Sequence, residues 1–124
     1  MTKHSVLYIA LALVVILGAL HFFAEAFYFY WTIWWFDTMM HLLAGICGGL
    51  ILVRFTWPLA PLHRAVFVLV GVLVVGISWE VFEYVFDIAN AIDYWSDTLI
   101  DLVADMTGAI VAYWYVNARI PGSS

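Results

Sequence analysis

Four stretches of about 20 mostly apolar residues, the length that crosses a bilayer, follow one another along this chain of 124 residues. They lie at roughly 5–24, 34–56, 64–88 and 97–117. A helix rises about 1.5 Å per residue, so each stretch can cross a hydrocarbon core about 30 Å thick. With 67% hydrophobic and 10% charged residues, the chain cannot surround itself with the polar surface of a soluble domain. The sequence therefore predicts an all-α membrane protein, a bundle of four transmembrane helices.

The connections between the apolar stretches are short. Residues 57–61 include Pro58 and Pro61, which interrupt a helix because proline cannot donate a backbone hydrogen bond. A tight turn is expected there, and Ser96 is a candidate N-cap for the last helix. No linker rich in Ser, Pro or Gly and no charge run divides the sequence. Residues 1–124 are therefore predicted to form a single transmembrane domain.

The first stretch has a second interpretation. Lys3 and His4, the apolar run and the Ala-Glu-Ala sequence at 24–26 together resemble a cleavable signal peptide. The run is long enough to span a membrane, and aromatic residues rather than a soluble segment follow it. These features favour a first helix that is retained.

The basic residues predict the orientation in the membrane. All four can lie at the same face of the membrane. They are Lys3 near the N-terminus, Arg54 and Arg64 beside the turn between the second and third helices, and Arg119 near the C-terminus. The opposite loops, 25–33 and 89–96, contain no Lys or Arg, and aromatic residues crowd positions 22–36 as in an interfacial belt. The positive-inside rule then predicts that the face with the basic residues is cytoplasmic, with both termini inside.

Most acidic residues fall in the opposite half of the bundle. With each helix end as a reference, five ionisable residues share a layer roughly 7–14 Å below the outer boundary. They are His41, Glu80, Glu83, Asp101 and Asp105. On each helix these residues are three or four positions apart, so they share one helix face. Asp37, Asp87 and Asp97 extend the same faces toward the outer end. We expect one inward-facing site, with Asp37 and Asp97 at its mouth.

The missing basic partners are as informative as the acids. Each carboxylate within the membrane costs about 2.5–3.5 kcal/mol on insertion scales, and no Lys or Arg is expected within reach. The acids must then be partly protonated, hydrogen-bonded to His41, or bound to a cation, and they titrate as a coupled group. Hard oxygen ligands with one imidazole suit Mg, Mn, Ca, Zn or iron. The sequence thus predicts a divalent-cation site formed by His41, Glu80, Glu83, Asp101 and Asp105.

Several functions are compatible with such a site. One is a cation-dependent enzyme acting on envelope lipids or lipid-linked substrates, with His41, Glu80 and Glu83 as catalytic candidates. Another is a protein that binds or translocates protons or cations without catalysis. A third interpretation is a polar network that only fixes helix register. Haem ligation by His21 and His41 is disfavoured by the many surrounding carboxylates.

Partners are constrained by charge and by small residues. A net charge of −5 with four scattered basic residues excludes a clustered basic surface, so we expect membrane lipids and no nucleic acid as partners. Gly45 and Gly49 form a GxxxG spacing that permits close helix approach, either within the chain or in a homo-oligomer. The lone Cys47 is expected to be a buried small apolar residue.

Four short motifs resemble those of a known group of membrane proteins. They are Asp-Thr-Met-Met-His at 37–41, Trp-Glu-Val-Phe-Glu at 79–83, Asp-Thr-Leu-Ile-Asp at 97–101 and Asp-Met-Thr-Gly-Ala at 105–109. Their order and spacing over the last three helices resemble the YjdF-like and VanZ-like small bacterial membrane proteins. Thr38 replaces a lysine of those families, and Glu83 and Asp105 replace Gln and Asn of VanZ-like sequences, which favours the YjdF-like side. The resemblance implies a multi-pass protein of the bacterial envelope and leaves the reaction open.

Overall fold

A computed structural model describes residues 1–86 and 93–120. Its helices are α1 (Lys3–Ala26), α2 (Phe29–Thr32), α3 (Phe36–Phe55), α4 (Pro61–Val85) and α5 (Tyr94–Asn117). All except α2 are long and apolar enough to cross a membrane, and the described residues include no β-strand. The prediction of an all-helical chain with four candidate spans is thus confirmed.

The ends of the helices differ from the predicted positions by a few residues. α4 begins at Pro61, because proline fits the first helical position, where its missing N–H would have no partner. α5 begins at Tyr94 with Asp93 as its N-cap. The prediction of Ser96 as the N-cap is wrong, since Ser96 lies inside the first turn and its hydroxyl donates to the Asp93 carbonyl at 3.1 Å.

The short helix α2 was not predicted. It begins after Tyr28, whose φ of 60° lies in the left-handed region. The Thr32 hydroxyl donates to the Tyr28 carbonyl at 3.0 Å, which closes the single turn. The connection between α1 and α3 is therefore folded over the end of the bundle and is more ordered than the loop that its sequence suggested.

α3 and α5 form the centre of the bundle and make the most extensive contact between any two helices. Gly45 lies directly against the backbone of Asp105, and Gly108 lies against the backbone of α3 at Leu42. A Cβ atom on Gly49 would lie 2.9 Å from the Cβ of Ala112. The close approach that the GxxxG spacing allows is thus used within the chain, and a homo-oligomer through Gly45 and Gly49 stays a prediction.

The other two long helices pack on this central pair. α1 contacts α3, whereas α4 contacts both α5 and α3. The core between them is apolar and contains mostly valine and alanine: Val6, Ala10, Leu50, Val53, Val68, Val72, Ala109, Ala112 and Val116. Cys47 is buried, as predicted.

Hydrogen bonds bring the N-terminus, the last turn of α5 and the α3–α4 turn to the same end of the bundle. The N-terminal ammonium donates to the Arg119 carbonyl at 2.8 Å, and the Tyr113 hydroxyl donates to the Pro61 carbonyl at 3.0 Å. Arg64 donates to the Trp57 carbonyl at 2.8 Å. The basic residues therefore gather at one end, which leaves the Asp and His cluster for the opposite half.

Candidate metal centre

The imidazole of His41 is the centre of the acidic cluster. Its Nε2 lies 3.9 Å from Oδ1 of Asp37 and 3.8 Å from Oδ2 of Asp101. On the other side of the ring, Nδ1 lies 3.3 Å from Oδ2 of Asp105. Three carboxylates from two helices thus surround one histidine. Helical spacing produces this arrangement, because Asp37 lies one turn before His41 on α3 and Asp101 lies one turn before Asp105 on α5.

The contact with Asp105 assigns roles to the two ring nitrogens. When the Asp105 carboxylate is ionised it only accepts hydrogen bonds, and Nδ1 is then the nitrogen that donates to it. In the neutral ring, the lone pair of Nε2 then points toward Asp37 and Asp101. A carboxylate that orients a histidine in this way is a common feature of protein metal sites.

Asp37, His41 and Asp101 form a group that could hold a metal ion. One ligand atom from each residue lies within 4.8 Å of the other two. His41 and Asp101 are buried, whereas the side chain of Asp37 is 37% exposed. The ring and one carboxylate are therefore shielded, and Asp37 connects the group to the acidic end of the bundle.

Two glycines make room for this group. Gly45 brings α5 against α3 one turn below His41, because any side chain there would collide with the backbone of Asp105. On α4, a Cβ atom at Gly76 would lie 2.8 Å from Oδ2 of Asp105, the oxygen that accepts from His41. The site thus depends on small residues of both neighbouring helices.

The two glutamates of α4 have different surroundings. Glu80 is buried, and its Oε2 accepts a hydrogen bond from the Thr98 hydroxyl at 2.7 Å. Glu83 is half-buried, and its Oε1 accepts from the indole of Trp79 at 2.9 Å. Neither belongs to the three-residue group around His41. Their predicted roles as metal ligands or catalytic residues stay predictions.

The remaining acids lie around this centre. Asp105 is buried beside His41 and orients the ring rather than sharing the face where Asp37 and Asp101 lie. Asp97 is exposed on the first turn of α5, consistent with a position at the mouth. Asp87 lies outside the described residues.

The end of the bundle near Asp37 is covered by α2. The Tyr30 hydroxyl is hydrogen-bonded to Nδ1 of His21 at 2.9 Å, and the Tyr30 ring packs edge to face on Phe36. Burial, with smaller contributions from Asp37 and other nearby acids, raises the pKa of Tyr30 to about 12. The hydroxyl is therefore protonated at neutral pH. His21 and His41 thus have different hydrogen-bond partners, Tyr30 and Asp105.

Sequence reasoning missed three residues that shape the site. Thr98 is buried, and its hydroxyl donates a hydrogen bond to Glu80. Its position three residues before Asp101 places both residues on the same helix face, and this spacing could have indicated its role. Gly76 lies four residues before Glu80, a spacing that could have indicated its contact with the acidic layer. Tyr30 carried no comparable signal, because its place depends on the unpredicted turn of α2.

The fold and the site define a multi-span membrane protein with a buried Asp/His group capable of holding a metal ion. The family model described as "Predicted membrane protein (DUF2238)" matches residues 1–121, and the chain belongs to this family. No curated protein and no solved structure matches the chain.

Proposed function

We propose that the protein binds a divalent cation through Asp37, His41 and Asp101. The observation that carries this proposal is the placement of His41 Nε2 between two carboxylates, at 3.9 and 3.8 Å. Asp105 holds the opposite nitrogen and would fix the ring for ligation. The four Lys and Arg residues are at the other end of the bundle, so a bound cation would neutralise acids that have no Lys or Arg partner.

The donor set defines the class of ion. One imidazole nitrogen and two carboxylate oxygens suit Mn²⁺, Zn²⁺ or Fe²⁺ better than an all-oxygen site would. Ligand atoms around such ions lie about 3–3.6 Å apart, given metal–ligand bonds of about 2.0–2.2 Å. The observed separations of 3.8 and 3.9 Å are slightly wider. Small rotations of the side chains would close the site on an ion and leave positions for water or a substrate oxygen.

An apolar groove beside the site supports a lipid or lipid-linked substrate. The groove has a volume of about 350 Å³ and is lined by Thr38, Leu99, Ile100, Val103 and Ala104. Thr38 follows Asp37, and Ile100 precedes Asp101, so the groove adjoins two of the three metal ligands. An acyl or prenyl chain in the groove would bring its headgroup toward the ion. The cation would then supply the positive charge that a phosphate needs at this acidic end.

Binding of Mn²⁺ to the detergent-purified chain tests the cation site. We expect Asp37→Asn to weaken Mn²⁺ binding at this site by about 100-fold, because one of three ligands loses its charge, and Asp105→Asn to weaken it by about 10–100-fold through loss of ring orientation. Free Mn²⁺ is measured by its electron paramagnetic resonance signal during titration.

Asp93→Asn is the matched control, since Asp93 is exposed at the same end of the bundle. Its effect should stay below about threefold, because salt screens exposed charges. Equal affinities for Asp37→Asn and the unaltered chain, or no Mn²⁺ binding at all, would leave a structural polar network as the better explanation.

We also propose that the acidic end faces away from the cytoplasm of a bacterium, in the inner membrane, with both termini inside. Support comes from the gathering of Lys3, Arg54, Arg64 and Arg119 at the opposite end, where the positive-inside rule applies. The motif pattern further supports a place among YjdF-like envelope proteins. In this orientation the cation and the substrate headgroup would reach the site from the outer leaflet.

Cysteine labelling tests the orientation. In a Cys47→Ala background, a cysteine at Trp34, which is 91% exposed, should react with a membrane-impermeant maleimide added to intact cells. A cysteine at Leu62, which is 73% exposed at the basic end, should react only after the membrane is permeabilised. The reverse pattern would place the acidic end in the cytoplasm.

A further inference from the structure

Two carboxylate oxygens near the candidate metal centre are buried without a hydrogen-bond partner. They are Oδ1 of Asp101 and Oε1 of Glu80. Asp101 is 1% exposed and Glu80 is 4% exposed, so bulk water does not solvate these side chains. An unpaired carboxylate oxygen in such surroundings is costly unless a cation or a proton compensates it.

In each residue the second oxygen is already engaged. Oδ2 of Asp101 faces His41, and Oε2 of Glu80 accepts from Thr98. The two unpartnered oxygens are therefore additional to the Asp37, His41 and Asp101 group. A single cation held through one oxygen each of Asp37 and Asp101 would leave both of these oxygens unpaired.

The two side chains belong to facing helices at nearly the same depth. Thr98 and Asp101 are three residues apart on α5 and share a helix face. Because the Glu80 carboxylate is bonded to Thr98, it lies against the same turn of α5 as Asp101. No Lys or Arg in the whole sequence lies in this half of the bundle.

We propose that Glu80 and Asp101 hold a second divalent cation, with Asp101 bridging the two ions. This inference rests on the proposed function, because Asp101 Oδ2 would ligate the first ion while Oδ1 ligates the second. The second position offers only oxygen ligands and therefore suits Mg²⁺ or Mn²⁺. Paired ions about 3.5–4 Å apart clamp a substrate oxygen from two sides in hydrolytic metal sites. A phosphate ester is thus the class of substrate that this pair fits.

The number of Mn²⁺ ions bound per chain tests the second position. At saturating Mn²⁺ the purified full chain should bind two ions, and its spectrum should show the line broadening of a magnetically coupled pair. Glu80→Gln and Asp37→Asn should each retain one ion, because each removes a ligand of one position only. Asp101→Asn should lose both ions. Glu25→Gln, which neutralises an exposed glutamate at the same end, should still bind two.

The possible results separate this inference from the function on which it rests. One ion in the unaltered chain, with Glu80→Gln unchanged, would overturn the second position and leave the first intact. Loss of both ions in Glu80→Gln would also overturn it, because Glu80 would then serve the first position. No bound ion in the unaltered chain would overturn the proposed function as well. The coupled spectrum of the unaltered chain supplies a test that does not depend on the folding of any variant.

Discussion

Replacing Gly45 with alanine is expected to lower the free energy of unfolding by about 3 kcal/mol, the upper part of the range for overpacked cores. The added Cβ would collide with the carbonyl group of Asp105, and it would also lie 2.8 Å from the Asp105 Cα. These are backbone atoms, so no rotamer change can relieve the collision. α3 and α5 would have to separate where His41 meets Asp101 and Asp105. Unfolding by SDS in mixed micelles measures the loss of stability, and Mn²⁺ titration should show weaker binding in the same variant.

Gly48→Ala is the matched control, because Gly48 lies on the same helix three residues further along. A Cβ atom there would lie 3.5 Å from Cγ2 of Val72, an ordinary van der Waals contact. Alanine favours a helix over glycine by about 1 kcal/mol, so this variant should be as stable as the unaltered chain or slightly more stable. Similar stabilities for Gly45→Ala and Gly48→Ala would contradict the close packing of α3 on α5.

The number and position of the long helices could be predicted from the sequence because apolar runs of membrane-spanning length have few alternatives. Local chemistry at the helix ends was harder to predict. Pro61 was read as part of a break, although proline is also well suited to the first turn of a helix. The turn of α2 could not be anticipated, because it depends on the left-handed conformation of Tyr28, which non-glycine residues adopt rarely.

Helical spacing also predicted which of the acids share a helix face. Asp37 and His41 on α3, and Asp101 and Asp105 on α5, are each four residues apart, and the structure brings the two pairs together. Spacing within one helix does not, however, determine how that helix is rotated against its neighbours.

That rotation explains the difference between Glu80 and Glu83. The contact of Gly76 with Asp105 turns α4 so that Glu80 meets Thr98, while Glu83 stays half-buried beside Trp79. The close approach of α4 to Asp105 at Gly76 is thus compatible with a rotation that buries Glu80 and leaves Glu83 half-buried. A single sequence contains no direct signal for such a contact between helices.

Arg64, at the basic end, is a second residue whose contacts with other helices could not be predicted from the sequence. In the sequence it served only as a marker of membrane orientation. In the structure it is 6% exposed and donates to the carbonyls of Thr56, Trp57 and Leu59 and to the side chain of Asn117. Its guanidinium also lies 5.7 Å from the ring centre of Trp57. One side chain therefore joins the end of α3, the following turn and the end of α5.

Arg64→Ala is accordingly expected to lower the free energy of unfolding by about 4 kcal/mol, because four partly buried acceptors lose a buried charged donor together. Arg64→Lys keeps the charge that favours the cytoplasmic side, but a single ammonium cannot reproduce the fork of a guanidinium, so we expect a loss of about 2 kcal/mol. Arg119→Lys is the control, since Arg119 is exposed and stacks on Tyr115, and it should cost about 1 kcal/mol or less. SDS unfolding in mixed micelles gives all three values. Equal losses for Arg64→Lys and Arg119→Lys would mean that Arg64 acts through its charge alone. If the loss of stability is largest for Arg64→Ala, smaller for Arg64→Lys and smallest for Arg119→Lys, the hydrogen bonds of the Arg64 guanidinium hold the basic end of the bundle together.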